Sequence, residues 1–169
     1  MARAPGRNPQ CRGRAIPRAR LSEDQYALNC HPLPLSYRII CYTMAILLMH
    51  EIGIDIIEID RVGAALSRWG ERFERRVYTD AERGHCRKRV PELAVRFAAK
   101  EAVMKALGTG MKGVGWREIE ILNNDDGKPF IVLHGHAQRK AQELGLRDLG
   151  VSLSHSRDYA IASVVGEAQ

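Results

Sequence analysis

Asp55, Glu101 and Lys105 stand where their neighbours make them conspicuous. Asp55 lies inside residues 51–59, EIGIDIIEI, a run so apolar that its side chains should be buried. An unpaired carboxylate there would be costly. Two readings follow: Asp55 caps a backbone N–H or meets an arginine, or it is a metal ligand at a strand edge. Glu101 and Lys105 stand four residues apart, with Phe97 four before Glu101, so on a helix all three share a face. On a solvated surface such a Glu–Lys pair adds about 0.3 kcal/mol to the helix and does no chemistry. Ala98, Ala99, Ala102, Val103 and Ala106, however, leave little of that helix to solvent and let something approach its backbone closely. A carboxylate and an ammonium one turn apart could then hold a divalent cation and a phosphate oxygen side by side.

The elements that must position these groups can be read from pattern. Residues 51–59 are bounded by polar residues and predict a strand. Asp60 can cap a helix over 61–68, with Val62, Ala65, Leu66 and Trp69 on its buried face. Thr79 and Glu82 form a capping-box pattern that opens a second helix running to about residue 89. Pro91 starts a third, carrying Glu101 and Lys105 to Leu107, where Gly108 and Gly110 stop it. The alternating segment 118–122 and the apolar segment 130–133 flank Asp126-Gly127, a hairpin signal. A helix over 136–144 and strands over 151–156 and 159–165 complete an α+β chain without internal repeats.

The chain has 169 residues, 45% hydrophobic and 27% charged, which suits one globular domain and excludes collagen-like, low-complexity and multi-span membrane classes. Its net charge of +6 is unevenly placed. Residues 1–48 hold seven arginines against Glu23 and Asp24 and carry +5; residues 49–169 carry +1. The first 37 residues mix Arg, Pro, Gly, Asn and Gln without periodicity and are expected to be disordered. Residues 39–49 are apolar but too short to span a bilayer, and no small-residue cleavage pattern follows them. Everything from Met49 on reads as one complete domain, so residues 1–48 are expected to be a dispensable extension, and Met49 is a candidate natural start. Cys11, Cys30, Cys41 and Cys86 include no C-x-x-C pair, which argues against a zinc knuckle and for a reducing, cytoplasmic setting. The basic segment invites a nucleic-acid or polyanion-binding reading, but it lacks interleaved aromatics and the remainder is nearly neutral.

Six motifs in series give the chain a strong resemblance to the holo-[acyl-carrier-protein] synthases, the short phosphopantetheinyl transferases. They are G-I-D-I-I-E-I-x-R from Gly53, Y-T-x-x-E from Tyr78 (where the family usually has Phe), and R-F-A-A-K-E-A-x-x-K-A-x-G-T-G from Arg96. W-x-x-I-E-I from Trp116, G-K-P-x-x-x-L-H-G from Gly127 and V-S-L-S-H-S-x-x-Y-A-x-A from Val151 follow in family order. The first 48 residues match nothing in the family.

The resemblance implies transfer of 4′-phosphopantetheine from coenzyme A to a serine of apo acyl carrier protein, with release of adenosine 3′,5′-bisphosphate, in fatty-acid synthesis. The same chemistry on carriers of polyketide or peptide synthesis is the alternative. It implies Asp55 and Glu101 as Mg2+ ligands, in keeping with the preference of Mg2+ for one or two carboxylates plus substrate phosphate. It places Lys105 to neutralise the phosphate under attack, and Glu101, acting through a water, is the candidate base for the serine. His155 and Lys128 are candidates for coenzyme A phosphate contacts, against plainer readings as a structural histidine and a solvated hairpin lysine. Arg61, Arg68, Arg72, Arg75 and Arg76 follow the first strand, and the first three fall roughly on one helical face. Arg61 and Arg68 are candidates to dock an acidic carrier. With one copy of the unit, the resemblance further implies a homotrimer whose coenzyme A site is completed at a subunit boundary.

Overall fold

The computed structural model describes residues 50–110 and 113–168; the expectations for residues 1–48 lie outside them. The chain runs β1 (His50–Glu58), α1 (Ile59–Trp69), α2 (Glu71–Val77), α3 (Asp80–Cys86) and α4 (Val90–Ala106). After a 3-10 turn over Trp116–Glu118 come β2 (Ile119–Asn123), β3 (Pro129–Leu133), α5 (Gly135–Glu143), β4 (Leu146–His155) and β5 (Tyr159–Ala168). Every strand pair is antiparallel, in a three-stranded sheet of order β1-β5-β4 and a separate β2-β3 hairpin. The α+β class expected from pattern is the class found.

The long helix α4 is the centre of the core. It packs along β1 and β5 and also touches β2 and β4. Leu93, Ala98, Ala99, Ala102, Val103 and Ala106 are fully buried on it. Its small residues do admit a close neighbour, and that neighbour is β1. A Cβ at Gly53 would overlap the carbonyl oxygen of Ala102, so only glycine lets the strand lie this near the helix. The opposite face of the sheet is bare. Ile52, Ile54 and Ile56 of β1, with Tyr159, Ile161 and Val165 of β5, are exposed there.

Several details differ from the sequence-based expectations, among them the start of β4 at Leu146 rather than residue 151 and the end of α3 at Cys86 rather than about residue 89. Asp60 does not cap α1: the helix starts two residues earlier than expected, at Ile59 with Glu58 at the cap, and Asp60 lies in its first turn. The reason is tertiary, because the backbone N–H of Ile59 donates to the carbonyl of Asp158 at 2.9 Å. Trp69, expected on the buried face, is exposed, and the Arg68 guanidinium lies 5.0 Å from its ring centre. Gly70 (φ 51°) then breaks the chain into the separate helix α2, so the arginine stripe is divided between two short helices. The capping box at Thr79 and Glu82 forms as expected. Among the described residues, no helix is long and apolar enough to cross a membrane.

Candidate active site

Asp55 and Glu101 reach the site from the two elements that Gly53 brings together. On β1, Gly53, Asp55 and Ile57 point towards α4, and the intervening isoleucines point away. Glu101 and Lys105 lie one turn apart on α4. Lys105 Nζ donates to Asp55 Oδ1 and to the Ile54 carbonyl, both at 2.8 Å. Asp55 thus meets a lysine across the fold rather than an arginine or a cap. Glu101 faces the same point: burial and then the negative charge of Asp55 push its carboxyl above the usual range, against the opposing pull of Lys105 and Arg61. A carboxyl held in this way is better suited to accepting a proton than an ordinary surface glutamate.

Asp55 and Glu101 open onto a cleft of about 400 Å³ whose wall also includes Arg61, Trp69, Phe73 and Phe97. The aromatic rings form a row: Phe97 stacks on Trp116 at 4.6 Å between centroids, Phe73 lies 6.5 Å from Phe97, and Trp69 lies 6.4 Å from Phe73. Pattern reading assigned none of Trp69, Phe73 or Trp116 to a site. They come from three separate elements, and only the fold aligns them. Arg61 and Arg68 are both exposed; Arg61 lies 3.4 Å from Glu58.

Lys128 and His155 are brought together, but elsewhere. They line a second cleft of about 410 Å³ with Arg96, Asn123, Ser152 and Ser154. The two clefts share no residue, and Arg96 and Phe97, successive on α4, belong to different ones. A step of one residue turns about 100° around a helix, so the clefts open on different sides of α4. Arg96 is the residue here that pattern reading left unassigned, although it begins the helix motif. It is 1% exposed and bonds the side chain and carbonyl of Glu92 and Asn123 Oδ1, and among the described residues its Nε has no hydrogen-bond partner. Arg96, Lys128 and His155 around one hollow, with Glu92 paired to Arg96, suit a ligand with anionic oxygens.

The donor set around Asp55 suits a hard divalent cation. The Lys105 ammonium already sits against a carboxylate oxygen and a backbone carbonyl, with a second carboxylate facing it. Two oxygens of β1 thus already ligate a cation, with a carboxylate of α4 facing the site, and hard oxygen donors are what Mg2+ prefers.

The comparisons with known proteins agree with the motifs. Residues 51–164 match the 4′-phosphopantetheinyl transferase superfamily. The chain is 58% identical over 121 residues to a holo-[acyl-carrier-protein] synthase of Herpetosiphon aurantiacus, covering 68% of this chain and 95% of that one. It is 54% identical over 115 residues to the enzyme of the same name from Dehalococcoides mccartyi, covering 68% and 96%. The fold is similar to the crystal structure of Helicobacter pylori holo-[acyl-carrier-protein] synthase in complex with coenzyme A, with a TM-score of 0.64 and 32% identity over 69% of this chain and 99% of that one.

Proposed function

The chain belongs to the 4′-phosphopantetheinyl transferase superfamily and is an enzyme of that class, and from this premise we propose that it transfers 4′-phosphopantetheine from coenzyme A to a serine of an apo acyl carrier protein serving fatty-acid synthesis. The observation that carries this reading is the convergence of Asp55, Glu101 and Lys105 at the end of an open cleft.

In the reaction the serine oxygen forms a bond to the β-phosphorus of coenzyme A, and the phosphoanhydride bond to the other phosphorus breaks. Adenosine 3′,5′-bisphosphate leaves, and the serine proton must be taken up. Asp55 and Glu101 would hold Mg2+, which when bound offsets the charge of the diphosphate and of the leaving phosphate. Glu101, with its raised carboxyl pKa, stands where it can take the serine proton through a bridging water. Lys105, exposed and flexible, can reach from Asp55 to an equatorial phosphate oxygen and neutralise it. Arg61 and Arg68, at the rim near the cleft, suit an acidic carrier and would make its association salt-sensitive. The domain over residues 49–169 carries all of these groups.

Lys128, His155 and Arg96 suit the remaining phosphate of coenzyme A, yet in one chain they open away from the carboxylates. Two observations favour assembly as the remedy. Each cleft is half a site by its chemistry, one for the reacting diphosphate and one for further anionic oxygens. The bare face of Ile52, Ile54, Ile56, Tyr159, Ile161 and Val165 lies on the same sheet whose last strand carries Ser152, Ser154 and His155. An apolar patch of this kind on an antiparallel sheet calls for a covering partner. A second copy covering it, repeated around a threefold axis, would set one copy's carboxylates beside the next copy's His155.

The test is direct. Purified protein with coenzyme A, Mg2+ and an apo acyl carrier protein should add one phosphopantetheine to the carrier, read by mass spectrometry. Asp55→Ala and Glu101→Ala should each lower the rate by about a thousandfold or more while leaving thermal unfolding nearly unchanged. An unmodified carrier with the wild-type protein, or full activity in either variant, would sink the reading.

A further inference from the structure

Resting on the reading that Asp55 and Glu101 hold the divalent cation, we propose that Lys105 is the built-in counter-ion of that site: its ammonium occupies the cation's place against Asp55 and must vacate it, for the substrate diphosphate, when the metal enters. The Lys105 stem starts on the solvent side of α4, where the side chain keeps 52% of its exposure, while the Asp55 side chain keeps only 11%. An unconstrained lysine in that position would extend its ammonium into water. Instead Nζ turns inward to two oxygens of β1, Asp55 Oδ1 and the Ile54 carbonyl, each at 2.8 Å.

The electrostatics explain the inward turn. Two carboxylates face each other across a partly buried gap, and the positive charge held against Asp55 eases their repulsion. An ammonium and a divalent cation cannot both press against the same carboxylate oxygen. Metal entry therefore displaces Lys105. Displacement into water alone forfeits its charge-assisted hydrogen bonds, whereas displacement onto a diphosphate oxygen replaces them. The cation should therefore bind weakly by itself and more tightly with coenzyme A, and linkage makes the effect reciprocal. In this way Lys105 ties metal loading to substrate loading.

Removing any positive charge nearby would favour a cation somewhat, so the control is Arg61. It lines the same cleft and carries the same charge, but it is 73% exposed and pairs with Glu58 rather than Asp55. The experiment is calorimetric titration of the full chain with Mg2+, first without and then with coenzyme A, for the wild type, Lys105→Met, Arg61→Met and Asp55→Asn. Without coenzyme A, Lys105→Met should bind Mg2+ about tenfold more tightly than the wild type, and Arg61→Met should stay within about twofold. Coenzyme A should tighten Mg2+ binding by a larger factor in the wild type than in Lys105→Met. Equal or weaker Mg2+ binding in Lys105→Met overturns the exchange, as does an equal gain in Arg61→Met. Equal coupling factors in the wild type and Lys105→Met overturn it too. If Asp55→Asn binds Mg2+ as well as the wild type, the metal reading itself fails and the proposal with it. If Asp55→Asn loses Mg2+ while Lys105→Met matches the wild type, the metal reading stands and the exchange alone is wrong.

Discussion

Glu82 and Glu118 hold backbone in place rather than substrate. Glu82 is fully buried beside an equally buried Lys100, 2.8 Å away, and it accepts from the N–H groups of Thr79 and Ile121. Its local half, the capping box with Thr79, is legible from spacing. Lys100 and Ile121 are not, because they are distant in sequence and reach Glu82 only once α4 and β2 have packed. Glu118 was legible only as the start of a strand. It accepts from Gly115 N at 2.8 Å and His136 N at 2.9 Å, tying the 3-10 turn to the start of α5. Those two donors favour the charged form and hold its carboxyl below the usual glutamate range. A depressed folded-state pKa stabilises the protein fully above the unfolded value, and that contribution disappears as pH falls through the lower folded value. Glu118→Ala should therefore cost about 1 kcal/mol at neutral pH, since both donors remain open to water. Denaturant unfolding should show the gap between variant and wild type narrowing as pH drops below about 4.3. A gap that stays constant into acid would contradict this account of Glu118.

Apart from α2 and the 3-10 turn, the types of the elements were visible in the pattern, and most of their ends were visible to within a few residues. What escaped was the geometry between elements. The short helix α2 follows Gly70 with only seven residues, too few for periodicity to declare itself. Asp60 looked like a cap because its residue type suits one, yet the helix already begins at Ile59, whose N–H donates to Asp158 from the far end of the chain. Gly53 was recognisable as part of a motif, and its physical role appears only with α4 against it. Gly53→Ala forces its methyl into the Ala102 carbonyl and must lever β1 off the helix. The expected cost is about 3 kcal/mol, with transfer activity falling further than stability alone explains, since Asp55 moves with the strand. Gly63→Ala is the matched control on α1. Its methyl would meet only Val90 Cγ1 at an ordinary 3.6 Å, and the helix should gain about 0.5–1 kcal/mol. Thermal unfolding of the two variants side by side checks the argument. Similar melting temperatures would mean that the β1–α4 contact is not as tight as the structure has it.

At the scale of the molecule, the net charge of +6 first suggested a polyanion partner for the whole chain, yet residues 49–169 carry only +1. The useful positive charge is local: arginines by one cleft, and Lys128, Arg96 and His155 at the other. Motif order put all of these on one chain but could not say that they face apart, because sequence carries no sense of which side of α4 a neighbouring element will cover. If assembly unites the clefts, two inactive variants should repair one another. Glu101→Ala spoils only the carboxylate half of its own chain, and a Lys128→Ala, His155→Ala double variant spoils only the anion half. In a ring where each site takes one half from each neighbour, a site works when its carboxylate half comes from the second variant and its anion half from the first. With equal amounts randomly assorted, each condition is met half the time, so co-refolded mixtures should reach about a quarter of wild-type activity. The two proteins refolded separately and assayed together without exchange should show only the sum of their residual rates. If co-refolding restores nothing beyond that sum, the site belongs to a single chain and the bare isoleucine face must be covered by something else.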